Sequence, residues 1–383
     1  MGSLTTTPSG SPLQNIAQRE AALLAPYAFR SAESRGRRYR EAEHPYRGPF
    51  QRDRDRIIHS AAFRRLSGKM QVFTGEMGDY HRTRLTHTQE VASLARTVGR
   101  ALRLNEDLIE ALALLHDIGH PPYGHAGEDA LHEVLAPDGS FSHNQFALTI
   151  VEELEQRYAA FPGLNLSFEV LESQHTRIDK ADPLQRPLLE AQVVDAADSI
   201  TYDAHDTDDA VKLGLLTLDE LAETTLVREA LEFVHRTFTI SDETQLRVAV
   251  VHQLIERQVT DILGHCVAML SSFEPSSSLE ARQIEGLVGT SSELAEQKQE
   301  LEAFLYARDY RHPDLIAVRE RAQARLQRMF HEYQREPSWF PEKYQRRAER
   351  VGVRKMAVDY LAGMTDRFCD DRFREMFPGE VEA

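Results

Sequence analysis

Seven of the 16 histidines in this 383-residue chain fall between His81 and His143. Imidazoles gathered this closely can bind metals or move protons near neutral pH. Periodicity puts His87 on the apolar face of a helix that also carries Val91 and Leu94. His116 shares a face with Ile109 and Leu112, and Asp117 follows it within the run ALALLHDIG. A lone histidine on an apolar face is usually a satisfied core residue. A carboxylate on so apolar a helix is costly unless it is paired or coordinated. The His-Asp dipeptide, the second apolar-face histidine upstream and a further carboxylate downstream, Asp198, together argue for a cluster. Two imidazoles and two carboxylates suit a first-row divalent cation with positions open to water or phosphate oxygen. Mg²⁺ and Mn²⁺ come first in that expectation, and Fe²⁺ and Zn²⁺ also fit. Cys266 and Cys369 are far apart and outside any C-x-x-C pattern, which argues against a thiolate zinc site or a disulfide framework.

Asp198 lies in EAQVVDAADSITYDAHD. At 100° per residue, Tyr202 and Asp206 follow it along one helix face. A carboxylate, a phenol and a second carboxylate are then presented in a row. A solvated acidic face explains Asp206 equally well, because Asp195, Asp203, Asp208 and Asp209 are close by.

The elements that must position these residues read as helices. Val91, Leu94, Ala95, Val98 and Leu102 recur at helical spacing over 84–102. Asn105 is an N-cap candidate, with Glu106 and Asp107 in the first turn where the helix dipole favours negative charge. That helix stops near Gly119, before Pro121 and Pro122. Pro187 suits the first turn of a helix that reaches Asp206. Further helices are expected over 217–238, 243–270, 292–308 and 313–335, and over 352–376 with a break near Gly363. The one strand candidate, a weak one, is 237–240. The fold class is all-α. Irregular stretches at 34–53 and at SSFEPSSS (271–278) suggest a division into 1–50, 51–270 and 271–383. The first of these is expected to be partly disordered, because residues 1–14 are rich in Ser, Thr, Pro and Gly.

The chain carries 45 basic and 61 acidic residues, a net charge of −16. That balance speaks against a polyanionic partner, but the positive charge is concentrated. Ten arginines lie between Arg35 and Arg65 against four acids, and Arg82, Arg84 and the histidine cluster follow. With 41% apolar and 28% charged residues the composition is that of an ordinary globular protein. No apolar run approaches the roughly 18 residues of a membrane span, and the N-terminus lacks the apolar region of a secretory signal. A cytoplasmic location is expected. There is no P-loop, no strand followed by G-x-G-x-x-G and no G-x-S-x-G. His132-Glu133 and His331-Glu332 fail as H-E-x-x-H, because Ala136 and Arg335 stand where the second histidine belongs.

The text around the cluster narrows the reading. RIIHSAAFRRLSGKMQVF (56–73), HRTRLTHTQEV (81–91), LLHDIGHPPYGHAGEDAL (114–131), FSHNQ (141–145) and ADSITYDAHD (197–206) occur in that order. DYLAGMTDRF (359–368) is similar to a C-terminal helix of the same family. On these residues the chain resembles the HD-domain deoxynucleoside triphosphate triphosphohydrolases of the dGTPase-like family. The resemblance implies an HD-domain metal phosphohydrolase core over 51–270. It implies that the helices of 271–383 complete a nucleotide pocket and oligomer contacts. The implied reaction is metal-dependent hydrolysis of dGTP, or of a broader dNTP set, to deoxynucleoside and inorganic triphosphate. His87, His116, Asp117 and Asp198 match the metal ligands. Arg84 matches an arginine on the triphosphate, and His120, His125 and His143 match histidines around the phosphates. Glu128 matches the acidic partner of His125. Tyr202 and Asp206 match deoxyribose contacts, and Gln71 is placed at the 3′-hydroxyl. Met70 departs from the family's usual Thr, and Ser199 stands where some relatives carry a phosphate-binding Lys. Arg346, Arg347 and Arg350 are then candidate phosphate contacts, or a solvated basic face. Breaking the P–O5′ bond leaves an alkoxide-like group that needs a proton, so His125 is the candidate general acid and His143 the alternative. A homo-oligomer with dNTPs as allosteric activators is also implied.

Two other readings compete. An HD phosphohydrolase acting on nucleoside monophosphates or cyclic nucleotides would use the same four ligands and release orthophosphate from its monophosphate substrates. A nucleotide or single-stranded nucleic-acid binding module would use the arginines of 35–65.

Overall fold

The computed structural model describes residues 15–72, 82–136, 139–178 and 186–379. Among them are eighteen α-helices in chain order. They are α1 (Ile16–Leu23), α2 (Pro49–Ile58), α3 (Ala61–Arg65), α4 (Arg84–Ala101), α5 (Glu106–Leu115) and α6 (Gly124–Leu135). Next come α7 (His143–Thr149), α8 (Phe168–Ile178), α9 (Leu189–Lys212), α10 (Leu218–Leu221), α11 (Thr225–Thr237) and α12 (Glu243–Phe273). The last are α13 (Ser278–Ala281), α14 (Ser292–Arg308), α15 (Pro313–Arg335), α16 (Glu342–Val351), α17 (Val353–Ala362) and α18 (Asp366–Met376). Extended pairing among the described residues is limited to isolated bridges such as Met70 with Thr83. The protein is all-α, as its periodicity predicts.

Local chemistry sets the helix ends near the histidines. Thr83 caps α4 by accepting from the Thr86 amide, and Thr86 accepts in return from the Thr83 amide. Asn105 caps α5 by accepting from the Leu108 amide at 3.3 Å, with Glu106 and Asp107 in the first turn. The helix expected over 217–238 is two helices. Thr224 donates its hydroxyl to the Leu221 carbonyl at 2.7 Å, and this local bond competes with helix continuation. The strand expected at 237–240 does not form. Thr237 ends α11, and the extended residues after it have no neighbouring strand among the described residues.

Helices α4, α5 and α9 pack together, with α2 on the outer side of α5. Val91, Ala95, Ile109, Leu112, Val194 and Ala197 meet in the larger of two cores. Phe29 and Phe50 from the N-terminal side and Met329, Phe330 and Leu361 from the C-terminal side belong to it as well. A second core joins α10, α11, the first half of α12 and α14 through Leu226, Val234, Leu254 and Leu301. Hydrophobic packing therefore cuts across the division at 50 and 270. No helix of the described residues is long and apolar enough to cross a membrane.

The arginine-rich segment serves this packing. Six of its ten arginines, Arg35, Arg37, Arg47, Arg52, Arg54 and Arg56, form ion pairs with acids of the same chain. Arg37 is buried against Asp53. Charge already spent in this way is poorly available to a nucleic acid. The C-terminal helices also reach the histidine region. Asp366 at the start of α18 accepts from the Met70 amide at 2.9 Å and the Tyr123 amide at 3.0 Å. Buried Lys69 donates to the carbonyls of His120 and Ala362.

Candidate metal centre and adjoining histidines

His87 comes from the first turn of α4, His116 and Asp117 from the end of α5, and Asp198 from the middle of α9. His116 Nδ1 lies 2.6 Å from the Ala113 carbonyl oxygen. A carbonyl only accepts, so Nδ1 donates and Nε2 is left as a lone pair. That Nε2 is buried with no hydrogen-bond partner among the described residues. It sits 3.6 Å from Asp198 Oδ1 and 3.7 Å from Asp117 Oδ1. His87 Nε2 is 3.1 Å from Asp198 Oδ1. One ligand atom each of His87, His116 and Asp117 lie within 4.8 Å of one another. A buried lone pair converging with carboxylate oxygens calls for a cation, and the nitrogen and oxygen donor set suits a divalent one. The Asp198 side chain keeps 34% exposure, so the centre opens on that side.

Asp117 has three tasks. Besides facing the centre, it accepts from Arg84 Nη1 at 3.1 and 3.0 Å and pairs with His120 Nδ1 at 2.8 Å. Burial alone would raise its pKa, but His120 and Arg84 hold it well below the usual carboxylate range. Burial lowers the pKa of His116, which favours the neutral, ligating imidazole. Burial and the nearby Arg84 charge push His120 down strongly as well. Arg84 is fully buried, with Nη1 committed to Asp117 and Nε without a hydrogen-bond partner among the described residues.

Beside this centre, His120 stacks on His143 with ring centroids 3.8 Å apart. Gly119 permits the approach, because a Cβ there would fall 2.0 Å from the His143 carbonyl oxygen. Glu128 has both carboxylate oxygens 2.9 Å from His143 Nδ1 and accepts from the His143 amide at 2.9 Å. His125 Nδ1 is farther from it, at 3.5 Å. The acid expected to orient His125 thus grips His143 more closely. Burial opposes the charge of Glu128, yet hydrogen bonds with His125 and His143 hold its pKa far below the usual range. His125 is 56% exposed, the most open of the three imidazoles. Tyr123 and Gly124, at φ 64° and 59°, make the left-handed turn that starts α6 and displays it. A Cβ on Gly124 would approach Arg84 Nη2 to 2.9 Å, which ties that turn to the arginine.

Along α9, Asp206 is buried, so it is not part of a solvated acidic face. Burial pushes its pKa up to about 7 against the hydrogen bond from Tyr310. The Tyr310 hydroxyl, from the turn after α14, donates to Asp206 and hydrogen-bonds the Tyr202 hydroxyl. Gln71 lies on the short extended segment next to α4, where its amide donates to the Arg82 carbonyl at 2.9 Å. Its Oε1 is buried without a partner among the described residues. Arg346 and Arg347 are engaged elsewhere, Arg346 with Glu342, Arg347 with Glu153 and Asp359. His81 and Phe73, the ends of two motifs, lie outside the described residues. Sequence reasoning missed Tyr310, Asp366 and the pair His205 and Glu90. For His205 a signal existed, since it falls two turns after Asp198 on the same face.

Residues 84–203 match the HD domain family, and residues 288–375 match the phosphohydrolase-associated domain family. With the helical fold and the His/Asp centre, this defines an HD-domain phosphohydrolase. A deoxyguanosinetriphosphate triphosphohydrolase-like protein of Geobacter metallireducens is 42% identical over 94% of this chain and 96% of its own. Proteins of the same description from Brucella suis and Ralstonia pickettii are 42% and 39% identical, each over 92% of this chain and 95% and 94% of their own. The chain belongs to this family of dGTP triphosphohydrolase-like HD-domain proteins.

Proposed function

We propose that the protein hydrolyses deoxynucleoside triphosphates, dGTP or a broader set, to deoxynucleoside and inorganic triphosphate. The observation that carries this reading is one continuous row of groups. The donors of His87, His116, Asp117 and Asp198 draw together where α4, the end of α5 and α9 meet. His120 links Asp117 to the stacked His143, Glu128 links His143 to His125, and Tyr202 and Asp206 follow Asp198 along α9. A divalent cation held by His87, His116, Asp117 and Asp198 would neutralise phosphate charge and polarise phosphorus for attack by water. Arg84, His120 and His143 then face the triphosphate. The departing 5′-oxygen takes its proton from His125, the most exposed imidazole, which Glu128 orients from one turn away. His143, closer to Glu128, is the alternative donor. At the sugar, Asp206 accepts a hydrogen bond from a hydroxyl, the role Tyr310 fills in this structure. The 3′-hydroxyl of a deoxyribose offers the same donor, and the unpartnered Gln71 Oε1 a second acceptor for it. Tyr202 packed against C2′ leaves no space for a 2′-hydroxyl.

The test is a panel of dNTPs with Mg²⁺, Mn²⁺, Fe²⁺ and Zn²⁺, run with and without a second dNTP as activator. Products are separated by anion exchange. Inorganic triphosphate supports the proposal. Orthophosphate released from nucleoside monophosphates, with dNTPs left intact, overturns it.

A further inference from the structure

A second buried histidine stands directly behind His87. His205, on α9, puts its Nδ1 3.3 Å from His87 Nδ1, with the rings 5.4 Å apart. On its other side, His205 Nε2 hydrogen-bonds the Glu90 carboxylate, and Arg82 pairs with Glu90 at 3.2 Å. The reaction proposed above gives neither His205 nor Glu90 a task.

The proton order along this chain follows from what each group can do. A carboxylate only accepts, so the proton between Glu90 and His205 belongs to His205 Nε2. A neutral imidazole has one N–H, so His205 Nδ1 is an acceptor. The proton shared by the two Nδ1 atoms is then carried by His87. His87 Nε2 is left as a lone pair once a cation stands between it and Asp198 Oδ1, which is 3.1 Å away and, as a carboxylate, would otherwise accept a proton from it. The opposite order would set a His205 lone pair against the Glu90 carboxylate. It would also protonate the His87 nitrogen that faces the centre. His116 reaches the ligating state by a shorter route, donating Nδ1–H to the Ala113 carbonyl.

We propose that His205 and Glu90 are positioning residues that fix the Nδ1–H tautomer and ring orientation of His87 and so set the affinity of the centre for a divalent cation. The inference rests on the assignment of His87 as a metal ligand. Partners of this kind fix the tautomer of metal-bound histidines and raise their basicity, and their loss typically costs 10–100-fold in affinity.

The experiment reads metal binding rather than turnover. Chelator-treated full-length protein is titrated with Mn²⁺, and free Mn²⁺ is followed by electron paramagnetic resonance. His205→Phe keeps the ring and removes both nitrogens. His205→Gln keeps an oxygen that can accept from His87 and an amide that can donate to Glu90. His205→Phe is expected to weaken Mn²⁺ binding by roughly 10–100-fold, whereas His205→Gln retains most of the affinity. Nitrogen-15 spectra of the imidazoles should show His87 protonated at Nδ1 in the wild type and shifted toward Nε2–H in His205→Phe. Wild-type affinity in His205→Phe overturns the proposal, as does an equal loss in Phe and Gln variants of unchanged thermal midpoint. If His205→Phe does not fold, Glu90→Ala at the exposed end of the chain decides. Weakened binding supports the relay, and unchanged binding overturns it. A wild-type protein that binds Mn²⁺ but releases no triphosphate refutes the proposed activity alone. One that binds no Mn²⁺ refutes the ligand assignment and this inference together.

Discussion

Asp117→Asn removes one charge from the centre without changing its volume, and its effects can be worked from the geometry. Asp117 and Arg84 are 3% and 1% exposed, and both carboxylate oxygens take part in the pair. Removing one partner of a buried ion pair costs about 3–5 kcal/mol, because the other charge is stranded. The Asn carbonyl still accepts one hydrogen bond from the charged Arg84 guanidinium, worth about 1.5–3 kcal/mol. The net loss expected without metal is therefore about 2 kcal/mol. Metal adds a second difference. A cation at a hundred times its dissociation constant stabilises the wild type by about 2.7 kcal/mol, and the variant should gain almost none of this. The assay is urea unfolding of chelated protein with and without Mn²⁺, together with metal content by mass spectrometry. The sign with pH is defined as well. The depressed pKa of Asp117 gives stability that is present above its ordinary value of 3.8 and lost as pH falls below it. The variant should lack that acid-linked loss. Adding Arg84→Met to Asp117→Asn leaves no charge unpaired, so it should recover most of the metal-free stability and none of the metal response. Retained metal in Asp117→Asn, or wild-type stability in chelator, would refute this reasoning.

Three other outcomes are expected. His125→Ala should lower turnover by about 10²–10⁴-fold while metal and nucleotide still bind, and near wild-type turnover would remove His125 from the mechanism. The wild type should prefer dGTP over GTP by roughly 10²-fold in kcat/KM, and Tyr202→Ala should shrink that ratio. Comparable rates on both nucleotides in the wild type would contradict the sugar assignment. Glu190, buried at the start of α9, has its pKa pushed up by burial from 4.5 to about 7. The protonated form is favoured in the fold, so its stabilising contribution is complete below pH 4.5 and is lost as pH rises through 7. Glu190→Gln should be more stable than the wild type at pH 8 by up to ~3 kcal/mol, with the difference gone at pH 4.5. An unchanged pH slope in urea unfolding between pH 5 and 8 would refute it.

The net charge of −16 pointed away from a polyanionic partner, and the structure shows why it is a poor guide. Six arginines of 35–65 pair with acids of the same chain and shape the fold. At the centre Asp117 offsets Arg84 and burial favours neutral His116 and His120, so a field that accepts phosphate there would come from a bound cation.

What the sequence determined by itself was local. Helical spacing, the cap at Asn105 and the boundaries of α14 and α15 depend on residues within a turn of one another. The donors of the candidate centre were legible because His87, His116 and Asp117 stand at apolar positions where an uncompensated polar group is costly, with Asp198 a further carboxylate downstream. Tertiary structure alone decided the rest. Tyr310 meets Asp206 across 104 residues, and Asp366 ties Met70 to Tyr123 across 296 and 243. The preference of Glu128 for His143 over His125 depends on how closely α7 packs against Gly119. No periodicity carries such contacts. They exist only when helices far apart in sequence share one core, and that sharing assigns each buried proton its partner.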